Sequence, residues 1–134
     1  MDVEEYSIPL RGPADAELTA VVSIDHDSEE SRVTLAWDGE TLSVAAEDYF
    51  EAFIVIRRAL AERGIVPLCY GASRNAYPSS MSRSMGGGLQ VYRMATGQQA
   101  RQQTLVSIFD TGPDVDPASP EEQRAFFEEW LGSL

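Results

Sequence analysis

The sequence has no lysine, one cysteine and one histidine among its 134 residues. With a single cysteine, Cys69, the chain cannot form an internal disulfide, and it lacks the second cysteine of any zinc-binding spacing. A catalytic cysteine needs a histidine base, and His26 lies in the acidic turn DHDSEE without an obvious catalytic partner. We therefore interpret Cys69, in the apolar run IVPLCY, as a small buried hydrophobic residue.

The acidic turn itself offers an alternative, because Asp25, His26, Asp27 and Glu29 are all side chains that bind metals. Adjacent side chains on a turn seldom converge on one ion, so a motif match of this kind stays a weak hypothesis. We expect neither a metal nor another cofactor.

Long apolar runs are also missing, and none approaches the roughly 20 residues that a membrane-crossing helix needs. The N-terminus, MDVEEYSIPL, is acidic, unlike a signal peptide. We therefore expect a soluble, cytoplasmic protein that does not enter a membrane. The length fits one domain, residues 1–134, and the 43% of hydrophobic residues is enough for a core.

Negative charge is absent from the middle of a strongly acidic chain. The net charge is −12, yet residues 64–109 contain no aspartate or glutamate and four arginines, Arg74, Arg83, Arg93 and Arg101. This asymmetry predicts a positive surface with a specific partner. The alternative is that carboxylates from the flanking segments pair with these arginines. The acidic majority argues against a broad nucleic-acid surface and favours a basic protein partner.

Alternating apolar residues predict two strands, over 18–24 and 33–37. The dipeptide DG at 38–39 predicts a two-residue hairpin turn, which pairs Leu35 with Leu42 on a common face. The segment EEYSIPL is expected as an edge strand, and IVPLCYGA and LQVYRM as further strands. The segment QQTLVSIFD suits either a helix or a buried strand, and we favour the helix.

Two helices complete the predicted fold. Apolar residues recur at helical spacing from Tyr49 to Leu60, and Gly64 follows as a stop signal. The C-terminal helix begins with a capping box of Ser119 and Glu122. Its apolar stripe is expected to pack on the protein's own core, with docking to another chain as the alternative. The stripe consists of Phe126, Phe127, Trp130, Leu131 and Leu134. The fold class is α+β, an antiparallel sheet of about five strands with two main helices packed on one face.

Residues 69–91 read CYGASRNAYPSSMSRSMGGGLQV, and we expect a short helical turn capped by Ser79 or Ser80 and ended by the three glycines. Phosphate-binding loops place their glycines between a strand and a helix, which is the reverse of the order here, and serine-nucleophile motifs are absent. No catalytic residue is predicted. Tyrosine, methionine and arginine are enriched in protein interfaces, although the methionines could instead be buried over the sheet. The predicted partner-binding residues are Arg74, Tyr77, Ser80, Met81, Arg83, Met85, Gly86, Gly87 and Gly88.

This stretch resembles a motif of small uncharacterised bacterial proteins, and the overall type of chain resembles bacterial toxin-immunity proteins. That resemblance implies a non-enzymatic protein that binds and neutralises a cognate toxin, here through segment 71–88 and an acidic face. The alternative is a small anionic-ligand-binding protein or enzyme, with Arg74, Arg83 and Arg93 gathered around the glycine turn.

Overall fold

The computed structural model describes residues 3–25 and 29–134. The main sheet is antiparallel with the strand order β4-β3-β2-β1-β5, and a second sheet has the order β6-β7-β8. The strands are β1 (Val3–Arg11), β2 (Glu17–Asp25), β3 (Ser31–Trp37), β4 (Glu40–Ala46), β5 (Val66–Pro67), β6 (Ala76–Tyr77), β7 (Gln90–Arg93) and β8 (Leu105–Ser107). The α-helices are α1 (Tyr49–Glu62), α2 (Ser80–Gly86) and α3 (Pro120–Gly132), and 3₁₀ turns lie at Pro13–Asp15, Tyr70–Ala72 and Gln102–Thr104. The α+β class, the five-stranded antiparallel sheet and the two main helices are confirmed.

The hairpin between β3 and β4 has the register that its turn predicts, with Leu35 opposite Leu42 and Trp37 opposite Glu40. Asp38 and Gly39 both have positive φ angles, +46° and +78°, as a two-residue turn of this hand requires. The inward side chains of β1–β3 alternate with exposed ones and are buried. These buried residues are Ile8, Leu10, Ala20, Val22, Ile24, Val33, Leu35 and Trp37.

Strand β1 pairs with β2 along its whole length, but β5 pairs with its other side only at Leu10 and Arg11. Over the rest of its length, β1 is therefore an edge strand. The carbonyl of Pro9 accepts a hydrogen bond from the backbone N–H of Leu68 at 2.9 Å, on the side away from β2. The Pro9 nitrogen, which carries no hydrogen, also points away from β2. The proline therefore removes no hydrogen bond between β1 and β2. The strand expected over IVPLCYGA shortens to β5 and continues into the 3₁₀ turn at Tyr70–Ala72.

Helix α1 begins at an Asp48 cap, whose side chain accepts a hydrogen bond from the backbone N–H of Glu51 at 2.7 Å. Its buried face packs on the inner face of the main sheet. Helix α3 begins at the predicted capping box of Ser119 and Glu122. Helix α3 contacts α1 and strand β6 of the second sheet. It therefore joins the core beside the second sheet.

The helix favoured for QQTLVSIFD is wrong. A 3₁₀ turn at Gln102–Thr104 leads into strand β8, in which Val106 pairs with Val91 of β7. Ile108 and Phe109 are buried just after the strand, where the chain turns back. Pairing with β7 therefore overrides the local helical spacing. Within residues 3–25 and 29–134, no helix is both long and apolar enough to cross a membrane.

Candidate protein-binding surface

Helix α2 lies within the segment that the sequence singled out, and its two ends are fixed. The Ser79 hydroxyl caps its start by accepting from the backbone N–H of Ser82 at 3.0 Å. Gly87 ends it in the left-handed conformation, and the Gly87 carbonyl accepts from the backbone N–H of Tyr49 at 2.7 Å. The Ser82 hydroxyl donates to the carbonyl of Gln90 at 2.6 Å. These bonds hold α2 between the start of α1 and strand β7.

The glycine turn packs directly on the first residues of α1. Gly87 and Gly88 have φ angles of +65° and +74°, which favour glycine. A Cβ atom on Gly87 would lie 2.8 Å from Cδ2 of Tyr49, and one on Gly88 would lie 2.8 Å from Cβ of Phe50. A Cβ atom on Gly86 would meet nothing within 4 Å. Gly87 and Gly88 thus serve close packing, whereas Gly86 is exposed.

Arg83 joins α2 to α1 through charge and through aromatic contacts. Its Nη1 lies 3.0 Å from Oε1 of Glu51 and 3.4 Å from Oδ2 of Asp48. The guanidinium carbon lies 5.0 Å from the ring centre of Phe50 and 5.7 Å from that of Tyr77. The side chain holds two elements of this protein together, and it is already paired with carboxylates.

Two of the other three arginines of the predicted positive surface are paired as well, and Arg101 is exposed without an ion pair to any described residue. Arg74 contacts Asp116 at 3.3 Å and Glu122 at 3.2 Å, and Arg93 contacts Asp114 at 3.6 Å. The expectation of an unneutralised arginine patch is therefore wrong, because three of its four arginines pair with carboxylates from the flanking segments. An anion at the glycine turn would have to displace these carboxylates, which weakens the hypothesis of an anion site built from Arg74, Arg83 and Arg93.

Tyr77 is a core residue and not the exposed anchor that the sequence suggested. It is 7% exposed, stacks on Phe127 with ring centres 4.2 Å apart, and meets the ring of Phe50 edge-on at 5.3 Å. Its hydroxyl accepts from Nη1 of Arg124 at 3.1 Å. Through Tyr77, the aromatic side of α3 packs inward, while Leu131 and Leu134 of the predicted stripe remain exposed.

Met81 and Met85 are exposed, which decides between the two orientations that the sequence left open. Met81 is 70% exposed and Met85 is 82% exposed. They are four residues apart on α2 and therefore share one face of the helix. Beside that face, Leu89 and Tyr92 border the same groove of about 470 Å³ between α2 and strands β7 and β8.

Among the described residues, no charged side chain lines this groove, which we call the methionine groove. Its lining consists of Ser79, Met81, Ser82, Met85, Gly86, Leu89, Gln90, Tyr92 and Leu105. Ser80, also exposed, precedes Met81 on α2. On a protein with a net charge of −12, this is a mainly apolar and uncharged surface. Adaptable methionine side chains on such a surface are typical of a site that binds another protein.

The thiol of Cys69 has the environment of a core residue. Cys69 is fully buried, and burial raises its pKa to about 12. A thiol in this state is a poor nucleophile, in agreement with its interpretation as a buried hydrophobic residue. The metal hypothesis for the acidic turn includes His26 and Asp27, which lie outside the described residues. Among residues 3–25 and 29–134, no three histidine, cysteine, aspartate or glutamate side chains are grouped to hold a metal.

The sequence did not predict a buried polar pair, Arg57 and Gln123, that joins α1 to α3. Nη1 of Arg57 donates to Oε1 of Gln123 at 2.8 Å. Nε2 of Gln123 lies within hydrogen-bonding distance of the carbonyls of Gly71, Ser73 and Ala76 at 3.2, 3.0 and 2.8 Å. The sequence did contain a sign that Arg57 is buried: it lies four residues after the buried Phe53, on the same face of α1.

The chain matches no protein-family model and no curated protein. The resemblance to immunity proteins therefore stays a prediction, and the geometry of the methionine groove is the basis for assigning a function.

Proposed function

We propose that this chain is a cytoplasmic, non-enzymatic binding module of the immunity type, which inhibits a basic toxin by seating it on the methionine groove. The observation that carries the proposal is the exposure of Met81 and Met85, at 70% and 82%, on one face of a helix that is fixed at both ends.

Both methionines are dispensable for the fold, since α2 contains no buried residue. The helix is held by its capping bonds, by the glycine turn and by Arg83. Large exposed apolar side chains on a rigid helix, beside a groove, are a common sign of an interaction site. Rigidity also favours binding, because little conformational freedom is lost when the partner docks.

The chemistry of the partner follows from two features of the surface. The net charge of −12 attracts a basic protein over long distances and speeds encounter. The groove is mainly apolar and uncharged, so short-range contact requires apolar side chains on that partner. A toxin with a basic surface and a protruding apolar residue meets both conditions.

The experiment begins by sequencing the neighbourhood of this gene, where a toxin-type gene is expected, and then measures binding to its purified product by isothermal titration calorimetry. The double variant Met81→Ser/Met85→Ser should bind at least roughly 100-fold more weakly, because burial of each methionine side chain contributes about 1.5–3 kcal/mol. Its melting temperature should match that of the unchanged protein. The matched control is Val21→Ser/Val55→Ser, which alters two exposed apolar residues on other surfaces.

Equal affinity of the methionine variant and the unchanged protein would refute the groove as the binding site. An equal loss in the valine control would point to a general effect of surface polarity. The association rate should also fall as salt is raised from 50 to roughly 500 mM, since steering is screened at high ionic strength. A rate independent of salt would exclude the proposed basic partner surface.

A further inference from the structure

Arg57 carries a buried charge without a carboxylate partner among the described residues. Its exposure is 3%, and the ion pairs within residues 3–25 and 29–134 do not include it. Nη1 donates to the carbonyl of Gly71 at 3.1 Å and to Oε1 of Gln123 at 2.8 Å, and Nη2 donates to the carbonyl of Ala118 at 2.9 Å. These bonds use three of the five N–H groups of a guanidinium.

The buried charge persists at neutral pH. Burial lowers the pKa of Arg57 to about 10, so the side chain stays protonated. Its hydrogen bonds go to neutral carbonyls, and Glu121 acts on it only through space, so a bound anion would compensate the buried charge further.

Arg57 lines a cleft of about 360 Å³ between α1, β5 and the N-terminal end of α3. Arg11 and Arg58 line the same cleft, and Ile65, Val66 and Pro117 contribute apolar surface to it. We call it the arginine cleft. The N-terminal end of the 13-residue helix α3 adds a partial positive charge at its rim.

Two carboxylates also border the arginine cleft, and both already have partners. Glu121 pairs with Arg58 at 2.9 Å. Glu122 accepts from the backbone N–H of Ser119 at 2.9 Å and pairs with Arg74 at 3.2 Å. Arg11 and Arg57 are therefore the two arginines of the cleft that form no ion pair within the described parts of the chain.

We propose that the arginine cleft binds a small organic carboxylate with a compact apolar body. The carboxylate lies between Arg11 and the free N–H groups of Arg57, where charge-assisted hydrogen bonds form. The apolar body lies against Ile65, Val66 and Pro117, a wall that offers no partner to a fully polar anion such as phosphate. This site involves no residue of the methionine groove and goes beyond the proposed function.

The test is titration of the protein with benzoate, followed by backbone amide chemical shifts in nuclear magnetic resonance spectra. Benzamide serves as the neutral isostere and inorganic phosphate as the polar anion. Benzoate should shift the amides of Val66 and Ala118 saturably, and the other two compounds should not. Arg11→Gln should weaken benzoate binding roughly tenfold, since a hydrogen bond to a charged group contributes on this scale. Arg101→Gln, which removes an exposed arginine outside the cleft, should leave it unchanged.

Equal binding of benzoate and benzamide would overturn the proposal, and so would equal affinities of the Arg11→Gln and Arg101→Gln variants. Phosphate binding as tight as that of benzoate would overturn the assignment to an apolar carboxylate. Arg11 is exposed, so its variant should keep the fold. The Met81→Ser/Met85→Ser variant should bind benzoate normally, which separates a failure here from a failure of the protein-binding proposal.

Discussion

Replacing Gly88 with alanine should destabilise the protein severely, while the same change at Gly86 should not. Gly88 has a φ of +74°, and its added Cβ would lie 2.8 Å from Cβ of Phe50, a buried residue whose backbone is fixed in α1. Gly86 ends α2 without a positive φ, and its added Cβ would meet nothing within 4 Å. Two glycines in one run of three thus have opposite roles.

The magnitude for Gly88→Ala has two parts. A left-handed backbone costs an alanine about 1–2 kcal/mol relative to glycine. Forcing a methyl group into a packed contact costs about 1–3 kcal/mol more. The sum is roughly 2–5 kcal/mol, against a total stability of about 5–15 kcal/mol for a typical domain. Gly86→Ala should instead stabilise by about 0.5–1 kcal/mol, because alanine restricts the unfolded chain and favours the helix.

Urea unfolding followed by circular dichroism measures both changes on the same scale. The midpoint should fall for Gly88→Ala and rise slightly for Gly86→Ala, with unchanged slopes. If Gly88→Ala unfolds within about 0.5 kcal/mol of the unchanged protein, a typical margin for surface substitutions, the packing of the glycine turn on α1 is not as described.

Four further predictions concern the core and the cap of α3. Ser119→Ala should cost about 1 kcal/mol in urea unfolding through loss of the capping box, and a neutral result would mean that α3 does not depend on its cap. Gln123→Leu should cost about 3 kcal/mol or more, because the Arg57 side chain and buried carbonyls lose their partner; a neutral result would show that water replaces the amide. Cys69 should react with a thiol reagent at the rate of unfolding, and faster labelling would contradict its burial. Burial raises the pKa of Cys69 from 9.0 to about 12, so its contribution to stability is full below pH 9 and is lost as pH rises toward 12. Cys69→Ala should therefore lose less stability over that range, and an equal loss would contradict the raised pKa.

The features that sequence patterns predicted correctly are local ones. The Asp38-Gly39 turn sets the register of β3 and β4, and the capping box at Ser119 starts α3. Each depends on residues a few positions apart, whose spacing matches the geometry of a single turn or hairpin. The error at QQTLVSIFD has the converse cause, because a pairing with β7 decided between two states that fit the local pattern about equally.

The candidate site shows the same division between local and distant interactions. The sequence predicted the capping serine and the terminating glycines of segment 71–88, and it included Met81 and Met85 among the predicted partner contacts. It placed Tyr77 in the same group, although Phe127, 50 residues further along the chain, stacks on that ring. Arg57 escaped notice because its neighbours Gly71, Ala118 and Gln123 come from distant segments.

By itself, the sequence determined the class of the fold, the hairpin, the helix ends and the acid-free segment, since each follows from composition or from short-range periodicity. The tertiary structure decided which arginines are neutralised, which of Tyr77 and Met81 faces the solvent, and where a buried guanidinium lacks a carboxylate. Charge pairing and burial depend on which distant segments meet, and spacing along the chain does not encode those encounters in a form that local rules can extract.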